Sequence, residues 1–220
     1  MNTLSSDVIS QPRMEFLHEE FKNVFQSLNV EKSVDELWNK IVCSYGGNER
    51  HYHTLDHIAH LLYFLKVRNE SLDNWPAVQL AVWFHDVIYD TQKKDNEKQS
   101  EEVAREELAI LNISEDVIES VSQLILATKK HEKIRGFEDS GLFLDADLAV
   151  LGKDANEYQV YAEQIRSEYK WVDEDIYKIE RVKILERFLA RPHVYFTPKI
   201  RQSFEAQARK NILYEIKTLS

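Results

Sequence analysis

Glycine and proline are scarce in this 220-residue chain, at 5 and 4 residues, and cysteine occurs once, as Cys43. Sandwiches, barrels and propellers need a turn roughly every ten residues and draw heavily on glycine and proline, so those folds are disfavoured and an all-α protein is expected. One cysteine closes no intrachain disulfide and builds no thiolate zinc site, which fits a reducing compartment. Long apolar runs are missing as well. No stretch approaches the roughly 20 apolar residues of a membrane span, and residues 1–15 are polar with no signal-peptide core, so a cytoplasmic protein without membrane contact is expected. Positive charge is the minority sign: 28 Lys and Arg stand against 38 Asp and Glu, giving −10. That balance argues against nucleic-acid partners and leaves room only for a local basic pocket.

What the chain does have is apolar periodicity, with 43% hydrophobic residues. Phe16, Leu17, Phe21, Val24, Phe25 and Leu28 recur at helical spacing over 12–29, with Pro12 at a tolerated first-turn position. Ser33 opens a second helix that Gly46 and Gly47 end. A third spans 54–66, with Thr54 as N-cap and His57 in its first turn. Residues 78–84 are apolar nearly all round, so the helix that Pro76 begins should lie at the centre of the fold. Helices over 96–111 and 114–130 follow, then an apolar element over 142–151 closed by Gly152. Three more are expected near 154–170, 173–190 and 197–218. No repeat or linker interrupts this pattern, and one domain over 1–220 is expected, with the chemistry in about 50–152 and the helices of 153–220 packed on it.

Polar side chains inside apolar helices are costly unless paired, hydrogen-bonded or metal-bound, so the places where His and Asp break a core run are the informative ones. There are three: His51-Tyr-His53-Thr-Leu-Asp-His57, Phe84-His85-Asp86, and Leu144-Asp145-Ala-Asp147-Leu148. His53 and His57 share one face if the helix starts near His53. Adjacent His85 and Asp86 would point about 100° apart on a helix, so both reach one ion only at a loosened helix end. An Asp from the third segment completes a two-His, two-carboxylate set, which suits Mn, Ni, Zn, Fe or Co better than Mg.

Taken in order, these segments resemble the HD superfamily of metal-dependent phosphohydrolases, whose signature is a His, a later His-Asp dyad and a distant Asp on a helical bundle. Tyr52-His53-Thr54-Leu55-Asp56-His57 is similar to the Tyr-His-Asn-x-x-His element of cyclic-nucleotide phosphodiesterases, where the second His binds metal and the first donates a proton. The chain as a whole resembles a little-characterised branch of predicted HD-type phosphohydrolases, through the Tyr-His-Thr start, Ala81-Val-Trp-Phe-His-Asp86, Asn96-Glu97 with Ser100, and Asp145-Ala-Asp147-Leu-Ala-Val-Leu-Gly152. The resemblance implies an HD-type helical bundle and His57, His85, Asp86 and Asp147 as metal ligands. Asp147 is preferred to Asp145 because the superfamily commonly places Ala before the ligand; Asp145 then supports the site, caps a helix or binds substrate.

One divalent ion is the default. Two-metal branches carry extra histidines between the dyad and the last Asp, and here His131 alone lies in that interval, as a ligand for a second ion, a phosphate contact or a solvated helix-end residue. The expected reaction is hydrolysis of a small phosphate ester, with nucleotides among the candidates. A bound ion lowers the pKa of its water from about 15.7 toward about 7, Asp86 or Asp147 orients that water, and His53, with an ordinary pKa of about 6.5, protonates the leaving oxygen. Arg50, Glu97, His131 and Asp145 are the candidate substrate contacts. Lys129, Lys130, Arg166, Arg181 and Lys183 are weaker ones, each more readily read as surface. His60 is expected in the core, and Glu101, Glu102, Glu106 and Glu107 on a solvated face. A di-iron, oxygenase-like oxidoreductase and a non-catalytic metal- or nucleotide-binding module are the competing classes.

Overall fold

The structure is a computed structural model that describes residues 10–220. The polar segment 1–9 lies outside the described residues. Those described fold into ten α-helices: α1 (Gln11–Ser27), α2 (Asp35–Tyr45), α3 (Leu55–Lys66), α4 (Trp75–Phe84), α5 (Asn96–Ile110), α6 (Glu115–Thr128), α7 (Asp139–Asp147), α8 (Ala155–Glu168), α9 (Glu174–Leu189) and α10 (Pro198–Leu219). Short 3-10 turns cover Asn69–Ser71 and Leu148–Gly152, and no strand occurs among the described residues. The all-α expectation is met. No helix among the described residues is long and apolar enough to cross a membrane.

The all-round apolar segment is the central helix, as its composition requires. Every residue of α4 from Ala77 to Phe84 is buried. Trp83 meets Phe21 of α1 and Trp38 of α2 edge-on, at ring-centroid distances of 5.2 and 6.0 Å. Helix α6 packs on α4 and α5, α3 packs on α4 and α7, and α10 packs on α9 and on the 3-10 turn that follows α7. Asn74 starts α4 by accepting from the Ala77 amide, and Thr54 starts α3 by accepting from the Asp56 amide. The element predicted over 142–151 is two pieces: α7 ends at Asp147 and tightens into the 3-10 turn. Gly152 closes it because α10 passes too near for a side chain. A Cβ there would stand 2.7 Å from Phe204 Cβ and 2.8 Å from the Tyr195 hydroxyl.

Candidate metal centre

Three helix ends meet at one point. His57 sits in the first turn of α3, His85 and Asp86 follow the last residue of α4, and Asp147 is the last residue of α7. The loosened end of α4 lets both members of the dyad face one way: His85 Nε2 lies 3.0 Å from Asp86 Oδ2. His57 Nε2 lies 3.3 Å from His85 Nε2, 3.3 Å from Asp147 Oδ1 and 4.0 Å from Asp86 Oδ2, and His85 Nε2 lies 3.8 Å from Asp147 Oδ1. Ligand atoms of His57, His85 and Asp147 all fall within 4.8 Å of one another, a spacing that could hold a metal ion. His85 Nδ1 donates to the Val82 carbonyl at 2.9 Å, which fixes the ring so that Nε2 faces the cluster.

The electrostatics fit a cation at this point. Burial opposes charge on every member, yet the carboxyls of Asp86 and Asp147 are held well below the ordinary carboxylate range. His85 does this for Asp86, and His131 and His57 do it for Asp147. His85 is pushed up to about 9, against its own burial, by Asp86 and Asp147. Burial takes His57 the other way, leaving a neutral imidazole that can ligate. A proton on His85 is thus the protein's own substitute for a positive ion. The two imidazole nitrogens and the Asp147 carboxylate, from three elements and nearly closed to solvent, are donors of the kind that suit a borderline divalent metal, and the ionised Asp86 stands beside them, 3.0 Å from His85 and outside that three-residue group.

Two more histidines border this set. His131 Nε2 contacts Asp147 Oδ2 at 2.8 Å, so Asp147 is shared between the cluster and a second imidazole. To reach it, His131 adopts a left-handed backbone with φ +48°, which costs a non-glycine residue about 1 kcal/mol or more. His53 precedes α3 instead of lying on it, because α3 begins at Leu55, so helix spacing does not bring it to His57. A carboxylate 115 residues away does. Glu168, the last residue of α8 and 1% exposed, accepts with Oε1 from the amides of His51, Tyr52 and His53 at 2.8, 2.7 and 2.9 Å. With Oε2 it meets His53 Nδ1 at 2.7 Å and accepts from the Tyr89 hydroxyl at 2.8 Å. Tyr89 also stacks on the His53 ring at 4.2 Å. Burial disfavours the Glu168 charge, but His53 and the amides outweigh it and bring its pKa down to about 2. Burial likewise pulls His53 down, and Glu168 reverses this to leave it raised.

Sequence reasoning missed Glu168, although a signal was present. Tyr158, Ile165 and Glu168 are the buried residues of α8, so the acid continues an apolar stripe at helical spacing and is desolvated by position.

Three expected substrate contacts are engaged elsewhere. The Arg50 guanidinium donates to the carbonyls of His53, Asp86 and Val87 at 3.1, 2.7 and 3.0 Å and lies over the rings of Tyr45 and Tyr89. It clasps the two segments that carry the site and commits three of its five N–H groups to them. Both oxygens of Asp145 accept from the amides of Phe196 and Thr197 at 2.7 Å, tying α7 to the start of α10. Asp145 and Asp147, two apart on a helix, point to different neighbours as their spacing requires. Glu97 pairs with Lys129 at 3.6 Å, and the adjoining Asn96 and Ser100 pin residues 88–90 behind the His-Asp dyad.

Among the weaker candidates, Arg166 donates to the carbonyls of Tyr169 and Val172, Arg181 is buried against Glu215, and Lys183 pairs with Glu180. Lys129 Nζ donates to the Lys94 carbonyl, and Lys130 is exposed. His60 is exposed instead of packed, being on the outer side of α3. Glu101 is buried rather than solvated, since α5 turns it toward α6, and it pairs there with Lys98 and Arg105 of its own helix. Compared with protein-family models, with curated proteins and with solved structures, the chain matches none.

Proposed function

We propose that this protein is an HD-type, metal-dependent hydrolase of small phosphate esters, with nucleotides among its candidate substrates. One observation carries the reading: His57, His85, Asp86 and Asp147 converge from three helix ends, with the His53–Glu168 pair at their edge. These four residues would hold one divalent ion, which when bound supplies an acidified water and a Lewis acid for a phosphoryl oxygen.

The protein groups divide the remaining work. Asp86 and Asp147 stay ionised through the physiological range and orient the attacking water as acceptors. His53 keeps a proton on Nδ1 for Glu168, so the proton given to the leaving oxygen comes from Nε2. Stacking on Tyr89 limits rotation of the imidazole, and the Glu168 charge keeps it protonated at a higher pH than burial alone would allow. Arg50 holds the His53 and Asp86 segments at a fixed separation through their carbonyls.

The test is a hydrolysis screen across phosphomonoesters, cyclic diesters and nucleoside triphosphates with added Mn²⁺, Ni²⁺, Zn²⁺, Fe²⁺, Co²⁺ or Mg²⁺. Turnover of at least one class that Asp86→Ala abolishes is the expected result. Inactivity on all three classes with every metal bound, or activity unaffected by Asp86→Ala, would overturn the reading. His53→Ala should retain the ion and lose more rate on alkyl than on p-nitrophenyl esters, because the better leaving group needs less protonation.

A further inference from the structure

The turn that carries His131 is basic in a chain whose net charge is −10. Residues 129–135 read Lys-Lys-His-Glu-Lys-Ile-Arg. Two of these cations are engaged, Lys129 with Glu97 and the Lys94 carbonyl, and Lys133 with Glu138. Lys130 is exposed, and no acid stands at ion-pair distance from it among the described residues. Arg191, on the turn after α9, reaches back to this segment, and its Nη2 donates to the Lys130 carbonyl at 2.7 Å. Its guanidinium lies 4.8 Å over the Phe188 ring, and that ring meets the His131 imidazole edge-on at 5.9 Å. Arg191 has no carboxylate at ion-pair distance among the described residues either, and its buried Nη1 has no acceptor. Burial lowers the affinity of Arg191 for its own proton, Glu132 opposing from a distance and Arg187 adding repulsion.

A half-buried guanidinium with no counter-charge is an unfavourable arrangement, because its desolvation is not offset by an acceptor. Here it bonds the backbone of Lys130, whose own ammonium is unpaired, and it lies one aromatic ring from an imidazole that touches Asp147. A guanidinium without a carboxylate partner is well matched to a phosphate, whose oxygens accept charge-assisted bonds from guanidinium and ammonium together.

We propose that Lys130 and Arg191 form an anion subsite, separated from the His–Asp cluster by the Phe188 ring and the His131 imidazole, that binds a second, non-reacting phosphate of the substrate. The preferred substrates are then small molecules with two separate phosphate groups. This inference rests on the phosphohydrolase reading for its reaction, though the subsite can be tested by binding alone. His131 fixes the subsite relative to the cluster, since its strained backbone is anchored at Asp147 and it adjoins Lys130 in sequence.

The test compares adenosine 5′-monophosphate with adenosine 3′,5′-bisphosphate, which differ by one phosphate, on the full chain. Affinities are read by calorimetry on metal-free protein, and kcat/KM on the Mn²⁺-loaded enzyme. The expected result is a preference of at least ten-fold for the bisphosphate in both readouts. Lys130→Met and Arg191→Met should bring it close to unity, and Arg191→Lys should restore part of it. Lys130→Met removes an exposed side chain and keeps the test valid if Arg191→Met fails to fold. Arg135→Met, which removes an equal charge from the same turn, should leave the ratio intact. Equal affinity for the two nucleotides in the parent protein, or an equal drop in Arg135→Met, would overturn the subsite. A binding preference that depends on Lys130 and Arg191 with no hydrolysis of either nucleotide would support the subsite and count against the hydrolase. Hydrolysis of both nucleotides at equal efficiency would do the reverse.

Discussion

Replacing Glu168 by Gln alters neither volume nor shape and removes one negative charge from five hydrogen bonds. The amide has one sensible orientation. Its oxygen must keep the three backbone amides of residues 51–53, because its NH₂ group there would face three donors. The NH₂ group therefore faces His53 Nδ1 and the Tyr89 hydroxyl. Charge-assisted bonds contribute about 1.5–3 kcal/mol and neutral ones about 0.5–1.5, so each backbone bond weakens by about 1 kcal/mol and the trio by about 3. At this chain length 1 kcal/mol moves the melting temperature by about 2–4 °C, so a drop of about 10 °C is expected. His53 can then accept at Nδ1 only as a neutral ring, and its raised pKa must fall.

Two pH signatures follow from that substitution. Glu168 lies below its ordinary 4.5, so its share of stability is present above that value and disappears as pH falls toward about 2. His53 lies above its ordinary 6.5, so its share is complete below that value and disappears as pH rises through the folded pKa. The stability gap between parent and Glu168→Gln should therefore be widest from about 4.5 to 6.5, measured by thermal melts across pH. In the pH–rate profile the alkaline limb should move to lower pH, with kcat at pH 7 down about 100-fold on alkyl phosphates, in the range for loss of a general acid. A Glu168→Gln protein with unchanged melting temperature and an unmoved alkaline limb would refute both the role of the carboxylate and that of His53.

The two aspartates of α7 should separate cleanly. Asp147→Asn should lower metal affinity at least 100-fold by calorimetry, whereas Asp145→Asn should cost less in metal affinity and lose about 3 kcal/mol of stability, because its single oxygen keeps one backbone bond and its NH₂ group must face the other N–H donor. Because His85 holds a proton up to about 9, metal binding should release it, and affinity should rise with pH until about 9. Calorimetry in buffers of different ionisation enthalpy would show this, and zero proton release at pH 7 would count against His85 as a ligand. Arg50→Met should cost about 3 kcal/mol, from three carbonyls left without their donor, and weaken metal retention while leaving KM for phosphate esters nearly unchanged. A large rise in KM with stability intact would return Arg50 to the substrate.

The residues of the His–Asp cluster were legible because burial of a polar group is visible in sequence when it interrupts an apolar run, as His85 does after Val78–Phe84 and Asp147 does after Leu142–Leu144. Helix ends were legible for the same local reason, through Thr54, Pro76, Gly46 and Gly152. Partners distant along the chain were not. Arg50 looked like a phosphate ligand because its neighbours in sequence were histidines, while its partners are carbonyls at residues 86 and 87. Glu101 resembled the other glutamates of α5, and only the packing of α5 against α6 distinguishes it. Sequence proximity indicates which segment a side chain belongs to, and its acceptors are decided by which helix crosses it.

That distinction changes the role of the last 68 residues. They looked like helices packed on a core over 50–152 that carries the chemistry, yet two buried carboxylate contacts cross that boundary in opposite directions. Glu168 of α8 reaches into the core and organises residues 51–53, and Asp145 of the core reaches out to begin α10. The second contact also fixes the rotation of α7 about its axis. Since Asp145 and Asp147 are separated by about 200° on that helix, anchoring the first on Phe196 and Thr197 determines where the second points. A rotation that released Asp145 would carry Asp147 away from His57 and His85. The geometry of the His–Asp cluster is therefore a property of the whole bundle, set as much by where α8 ends and α10 begins as by the cluster's own residues.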